Sequence, residues 1–559
     1  MRIHSIDSNV TTTVTLGKQG YAQSITVTSS GSVAPRAAGD DAVIVPAGLN
    51  HAHIVNQGVV SGAIGHGGNT GGAGGVGIDL ASAGFVVNQA AIAGGRGGYG
   101  YDHGGTGGAG VVFDTSGQLS NSGAISGGGA YAAEYYGTGG SGGLGVQLGA
   151  GVHAVNSGSI HGGDGAGCYN QEGGPIGYGG SGGVGVVLTG AAVLTNSGAI
   201  GGGAGGYYAP FGGDGFYYGA GGAAGAGIAA TKGGTIHNTG TITGGGGGGG
   251  FYRGGQAGDG VDLTAGGTLV NRGLITAGAG GDATYANSQA GGIGVDLVAG
   301  GMVTNTGTIA GGVGGYSVFG HGGAGGTGVY ISGGTVVTSG TIAGGAGGPG
   351  GYGAGAMGDA VQFGSAAGTL VVDPGAVFDG KIVGNAAVAD TLVLAGHASG
   401  TLAGFGSAIT GLNDIVADAG AHWRLDGDVS GAGSLVLEQG ARVTLGGAVG
   451  MSSIVFAGSD AALHVDTSGA IGSVFSGFGA GDIIDLAVVQ AASLSFSGGT
   501  LSLFDAGGSV VDTLAFSGNY TASDFALKAY GAGTDILFAG TEAHAAGTLP
   551  VSWHAGFAR

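Results

Sequence analysis

A single cysteine, Cys168, stands in 559 residues, so the chain forms no disulfide within itself and no cysteine-based metal site. Proline is nearly as scarce, at 7 residues, and glycine, at 149, does not keep the strict third-place period of a collagen. Charge is sparse and mostly of one sign. Twelve Lys and Arg against 32 Asp and Glu give a formal charge of −20, which repels phosphate backbones and anionic lipid surfaces and argues against nucleic acid as a partner. No run approaches the roughly 18 apolar residues of a membrane-spanning helix, so no membrane insertion is expected. The stretch MRIHSIDSNVTTTVTLGKQG has no apolar core of a secretory signal, and any export is expected to use a signal elsewhere.

What the chain does have is self-similarity. A glycine-rich chain without a period reads as disordered, but here hydrophobic residues make up 42% and recur regularly. The unit GDGVDLTAGGTLVNRGLITAGAGG from Gly258 is followed by GIGVDLVAGGMVTNTGTIAGGVGG from Gly292. An Asn-x-Gly step marks each unit at Asn56, Asn88 (with Ala90 for the Gly), Asn121, Asn156, Asn196, Asn238, Asn271 and Asn305, and Thr338 and Asp373 take the last two places. The intervals are 32, 33, 35, 40, 42, 33, 34, 33 and 35, which defines ten units.

Aligned on that step, the units give four apolar columns. The first, from Val43 and Ile78 to Val329 and Val361, is β-branched throughout, and the second, two residues later, includes Val45, Leu80, Phe113 and Leu297. The residue between them varies freely, as in Asp79, Gln147, Asp262 and Tyr330. Apolar residues at i and i+2 around a variable i+1 are the period of a strand with one buried face. A third column lies two residues before the Asn, from Ile54 to Val371, and a fourth four residues after it, from Val60 and Ile92 to Val377. Three short strands per unit, stacked like on like, predict an all-β parallel β-helix, or solenoid, with its hydrogen bonds along the axis. At the corner Asn tolerates left-handed backbone and Gly takes positive φ without strain, so a ladder of stacked Asn side chains is expected there.

Glycine-rich excursions of unequal length separate the fourth column of one unit from the first of the next, as in GGRGGYGYDHGGTGGAG from Gly94. Their GGxGGxG spacing predicts threefold, polyproline-II-like segments that lie close together and stack into a second, glycine-lined layer beside the coils. The aromatics gather there. Tyr99, Tyr101, Tyr135, Tyr136, Tyr207, Tyr208, Tyr217, Tyr218 and Tyr252 form the candidate binding face, because Tyr offers a large, stiff, amphipathic contact at low entropic cost. The competing reading makes these rings a local core over the glycine layer.

Chemistry has little to stand on. No His-Glu-x-x-His, Cys-x-x-Cys or phosphate loop occurs, and Gly-x-Gly-x-x-Gly matches mean nothing at this glycine content, so no cofactor is expected. His66, His103 and His321 each precede Gly-Gly in separate excursions and read as exposed or turn-packed residues. Asp262 and Asp296 occupy one outward column in adjacent coils, near enough to raise a pKa or to hold a cation. No Lys or Arg stands in that column to complete an acid–base pair. The chain is therefore read as not an enzyme.

After about residue 385 the double glycines thin out, and HWRLDGDVSGAGSLVLEQGARVTLGGAV continues the strands in plainer coils. The repeats resemble the passenger β-helices of bacterial autotransporter-like adhesins. Gly481-Asp482-Ile483-Ile484-Asp485-Leu486 is similar to a step in the C-terminal modules of large secreted bacterial proteins, and Gly533-Thr534-Asp535-Ile536-Leu537-Phe538 resembles the endings of type I secretion signals. The resemblance implies right-handed coils and a place outside the cell or on a bacterial surface. The 175 residues after Gly384 (559 − 384) are short for a translocator barrel, and nonapeptide calcium repeats do not occur.

Four segments are thus expected: 1–39, a strand-like cap or pairing segment; 40–384, the ten-unit glycine-rich solenoid; 385–475, plainer coils; and 476–559, a closing β module with a secretion signal. The expected role is a non-catalytic structural and adhesive solenoid, a head-to-tail homopolymer or a binder of extracellular glycans and of host or neighbouring surfaces. The alternative is a glycan-binding or polysaccharide-degrading β-helix that uses the Tyr-rich face.

Overall fold

A computed structural model describes residues 3–18, 20–134, 137–170, 176–210, 218–467 and 471–540. The protein is an all-β parallel solenoid, and the 3-10 turn Ala522–Asp524 is the only helical element among the described residues. Its contacts divide it into two units, one of residues 1–334, 340–362 and 377–381, the other of 335–339, 363–376 and 382–559.

In the first unit each coil supplies three strands, for example Val111–Phe113, Gly117–Asn121 and Ala124–Ser126. Inner strands pair in parallel with their equivalents one coil away on either side. Val111 lies opposite Ile78 and Val146, Asn121 opposite Asn88 and Asn156, and Ile125 opposite Ile92 and Ile160. The apolar columns are the reason, since a slip of one residue would turn each buried side chain outward. Val111 and Phe113 are fully buried around a half-buried Val112, and Ile92, Ile125 and Ile160 fill the core from the short strand.

The N-terminal stretch is wound as further coils of the same stack. Ile3–Ile6 pairs with Ser24–Val27, which pairs with Ala52–Asn56, and Val14–Thr15 lies on Val43–Val45. The last repeat differs from the column alignment by one residue. Thr338 lies opposite Val372, not Asp373, and Val336 opposite Leu370, not Val371. Ile342 likewise faces Phe378, and Val377 is 53% exposed. With no Asn in this repeat to fix the corner, burial of Leu370 and Val372 decides the register.

The excursions form the expected second layer. Each leaves as one extended arm and returns as another, and contacts recur every third residue, the period of polyproline II. Gly94 and Gly97 donate to Ser126 and Gly129 of the next outgoing arm, while Gly71, Gly74 and Gly77 donate to His103, Thr106 and Ala109 of the next return arm. A third set of bonds runs between the arms. Gly75 donates to Ala63, Gly95 to Gly75, Gly108 to Gly95, Gly128 to Gly108 and Gly143 to Gly128, and the zigzag continues to Gly358. The approach is close enough to exclude any side chain at these positions. A Cβ on Gly95 would lie 1.9 Å from the carbonyl oxygen of Ala63, and one on Gly108 2.0 Å from that of Gly75. Every third residue, such as Arg96 or Thr106, points outward.

The second unit has coils without excursions. Thr391–Leu394, Asp414–Ala417, Val429–Leu437 and Val449–Phe456 stack in parallel, as do Ser399–Phe405, His422–Gly427, Arg442–Leu445, Ala462–Val465 and Ile483–Leu486. The pairing then reverses. Ile483–Leu486 takes Gly533–Phe538 as an antiparallel neighbour, which pairs in turn with Phe525–Tyr530. Phe478, Phe516 and Phe525 build an aromatic core here, with Phe516 and Phe525 centroids 5.0 Å apart. Residues 541–559, within the stretch expected to carry the secretion signal, lie outside the described residues.

Candidate contact surface

At the ends of the excursions the two arms join in short tips, and these too are in register. Gly250 bridges Ala283, Ala283 bridges Ser317 and Ser317 bridges Gly350 in four successive coils. Polar groups fix each tip on the next. Asp282 accepts the amide of Tyr316 at 2.7 Å, Asn287 accepts that of His321 at 3.0 Å, and the Ser317 hydroxyl donates to Ala286 at 2.7 Å. Tyr285 donates its backbone amide to Phe251, and Phe319 donates to Thr284.

On this frame aromatic rings stand one above another. The Phe251 and Tyr285 centroids are 4.7 Å apart, and those of Tyr285 and Phe319 are 5.2 Å apart with planes 29° from parallel. Tyr285 and Phe319 are about half exposed, and Tyr352, one coil further, is 70% exposed. Tyr316 and Val318 widen the patch. Stacked rings at the strand spacing that remain open to solvent form a continuous apolar edge of the kind that marks contact surfaces. The intervals 251, 285, 319 and 352 equal the repeat period, a signal that column alignment of the tips would have found.

The Tyr residues singled out from the sequence occupy different settings. Tyr99 and Tyr131 meet edge to face at 5.7 Å, Arg96 lies 4.5 Å over the Tyr131 ring, and the Tyr99 hydroxyl donates to Glu134 at 2.7 Å. That bond to a carboxylate pushes the Tyr99 hydroxyl up to about 12. Tyr101, Tyr207 and Tyr252 are between two-fifths and half exposed. Tyr208 is only 5% exposed and packs with Ala133 and Cys168 inside the layer, with Phe251 against them. It belongs to the local core, on the strand Tyr208–Pro210 paired with Cys168–Asn170. Tyr218 begins the strand Tyr218–Ala220, paired with Ile176–Tyr178. Tyr135, Tyr136 and Tyr217 lie outside the described residues.

Asp262 and Asp296 are direct neighbours in the parallel ladder, between Ala229 on one side and Tyr330 on the other. One carboxylate oxygen of each is buried without a hydrogen-bond partner. Asp259 stands close by and accepts the Ile293 amide at 2.7 Å. Burial first, then the charges of Asp259 and Asp262, push Asp296 up to about 7, while burial raises Asp262 and takes Asp259 to about 6. Such a group holds a proton near neutrality, as a general acid does. The residues facing the pair across the ladder, Ala229 and Tyr330, supply no cationic partner. Among the described residues no three His, Cys, Asp or Glu side chains come together as a metal site. His103 accepts the Thr138 amide and His321 packs edge-on to Tyr352, each within its own neighbourhood.

No family model matches the chain, and neither a curated protein nor a solved structure matches it. Among the described residues no helix is long and apolar enough to cross a membrane.

Proposed function

We propose that the protein is a non-catalytic extracellular or cell-surface solenoid with a structural and adhesive role, which makes its contacts along the excursion tips and assembles end to end with its own copies. The observation that carries this reading is the Phe251, Tyr285 and Phe319 ladder, a surface feature repeated in three successive coils. A repeated edge favours many weak contacts in series over one deep site, and avidity then comes from their number. End-to-end assembly would extend the parallel pairing through Ile3–Ile6, whose described partner strand is Ser24–Val27.

The same ladder favours a second reading, the binding of an uncharged polysaccharide. Ring faces repeating at the coil spacing suit the apolar faces of successive sugars, and a net charge of −20 disfavours polyanions. A degrading form of this reading would rest on Asp262 and Asp296.

Electron microscopy of the purified full chain, combined with retention on a neutral polysaccharide resin, tests these readings. Fibres that lengthen with protein concentration support assembly. A monodisperse monomer, retained on the resin and released by Tyr285→Ala with Phe319→Ala, would replace it with the glycan binder. A fall in polymer viscosity that Asp262→Ala abolishes would make the protein an enzyme.

A further inference from the structure

The outward face of the second unit carries a row of charges that crosses from its parallel strands to its antiparallel end. Register places Arg424 opposite Thr444, Thr444 opposite His464, and His464 opposite Asp485. Asp485 then lies directly opposite Asp535 on the returning strand Gly533–Phe538, and Asp535 opposite Lys528. Two carboxylates facing each other across a strand pair repel, and Asp535 is only 8% exposed. One oxygen of Asp485 is buried without a hydrogen-bond partner. Something must offset this charge for the terminal hairpin to stay docked.

His464 is placed to do so. Its Nδ1 lies 2.5 Å from an oxygen of Asp485 and its Nε2 2.7 Å from an oxygen of Asp466. A carboxylate only accepts hydrogen bonds, so both ring nitrogens must carry protons and the ring must be an imidazolium. Asp466 is held from its other side by Arg424 at 2.7 Å, and Arg424 also pairs with Asp426 at 2.8 Å. Arg442 and His422 stand on the same face one pair further along.

We propose that His464 is a protonation latch, which holds the hairpin Phe525–Tyr530 and Gly533–Phe538 on the last parallel strand, Ile483–Leu486, and releases it as the ring loses its proton. Burial works against the charged ring, but the hydrogen bonds and charges of Asp485 and Asp466 outweigh it, so the His464 pKa is raised. Asp535 is raised by burial and by Asp485, and lowered by Lys528 and His464. The sign follows from the raised histidine. The latch contributes fully below the ordinary histidine value of about 6.5, and is lost as pH rises through the higher folded value. Above that, Asp466, Asp485 and Asp535 face Arg424 and Lys528 without the imidazolium, and release uncovers the edge of Ile483–Leu486 for pairing with another strand.

Hydrogen exchange of the full chain read by mass spectrometry, from about pH 6 to about pH 9, tests the latch. After correction for intrinsic rates, protection in 483–486 and 533–538 should fall about tenfold more than in the His464→Gln variant, which should be less protected at pH 6 and show no step. Wild-type protection that follows intrinsic rates alone, or a step kept in His464→Gln, would overturn the proposal. Asp485→Asn, which keeps the side chain's size, gives an independent reading. Exchange of the imidazole C2 hydrogen in the peptide carrying His464 should report a lower pKa in that variant, and an unchanged value would also overturn the latch.

Discussion

The side-chain amide of Asn156 donates to the carbonyl oxygen of Asn196 at 2.8 Å, forty residues on in sequence and one coil on in space. Asn196 donates in the same way to Asn238, and the chain of amides runs without a break from Asn56 to Asn305, every link between 2.7 and 2.8 Å. Each Nδ2 also reaches a backbone carbonyl in the short strand of the next coil, as Asn156 does that of Ala199 at 3.2 Å. All eight side chains are almost completely buried. Neither these Asn nor the Gly two residues on adopts positive φ, so the corner differs from the left-handed one expected: Asn binds its neighbours along the axis, and Gly is needed for close approach, a Cβ on Gly158 lying 2.0 Å from the carbonyl oxygen of Gly123.

Replacing Asn196 by Ala should leave the side-chain oxygen of Asn238 without the donor it has now and the Asn156 amide with only its longer bonds to backbone, such as that to Ala199, at a cost of roughly 2–4 kcal/mol. Asn56→Ala, at the first rung, takes one bond from a single neighbour, Asn88, and should cost about half as much. Solenoids lose stability locally, so the measurement is urea unfolding combined with hydrogen exchange resolved by coil. Equal losses at the two positions would mean that the amides act independently and not as a ladder.

The glycine layer makes a sharper demand. The Gly143 amide donates to Gly128, and a Cβ on Gly143 would lie 1.9 Å from the carbonyl oxygen of Gly108. Gly143→Ala should therefore cost about 3 kcal/mol or more, since backbone on both sides has no room to move. Thr106→Ala, at an outward third position, should stay within about 0.5 kcal/mol. In the wild-type chain the amides of Gly95, Gly108, Gly128 and Gly143 should exchange slowly, unlike those of a free loop. Fast exchange there, or an innocuous Gly143→Ala, would mean that the excursions do not pack.

Periodicity carried the fold because identical neighbours need only translation. Once Val111 stacks on Ile78, the whole coil is placed, and the pairing of Asp262 with Asp296 follows from the same count. The count fails in the tenth repeat, where Leu370 and Val372 take the places expected for Val371 and Asp373, because no Asn fixes the corner and Leu370, Val371 and Val372 are all apolar enough to be buried. The aromatic edge was half visible. Tyr-rich excursions stood out, but only stacking separates buried Tyr208 from exposed Tyr285. The opposition of Asp485 and Asp535 was hidden for a different reason, since it depends on Gly533–Phe538 turning back antiparallel, which no repeat announces.

Cys168 lies in the layer's interior with Ala133 and Tyr208, and burial raises its thiol pKa. A protonated, inaccessible thiol reacts slowly. Alkylation by iodoacetamide at about pH 8 should be slow in the native protein and rapid in urea, with the rate reporting opening of the excursion at residues 168–170 rather than global unfolding. Native labelling as fast as in urea would place this cysteine at the surface.

The carboxyls on the first unit's outward face give stability an unusual pH slope. Burial, followed by the charges of Asp259 and Asp262, takes Asp296 to about 7, and Asp79 reaches about 6 through burial and the charges of Asp114 and Asp41. An unfolded Asp titrates near 4, so between about pH 4 and pH 7 the folded chain holds protons that the unfolded chain has lost. Stability is then fully present below about pH 4 and declines as pH rises through about 6 to 7, the reverse of the behaviour of salt-bridged carboxylates. The urea midpoint of the first unit, followed by exchange in Val261–Asp262 and Val295–Leu297, should be higher at about pH 5 than at about pH 8. Asp296→Asn removes the ionising group while keeping its size and should flatten much of that slope by raising the midpoint at the alkaline end. A midpoint that rises with pH in the wild-type chain, or a slope unchanged in Asp296→Asn, would show that the paired carboxylates are solvated and ionise freely.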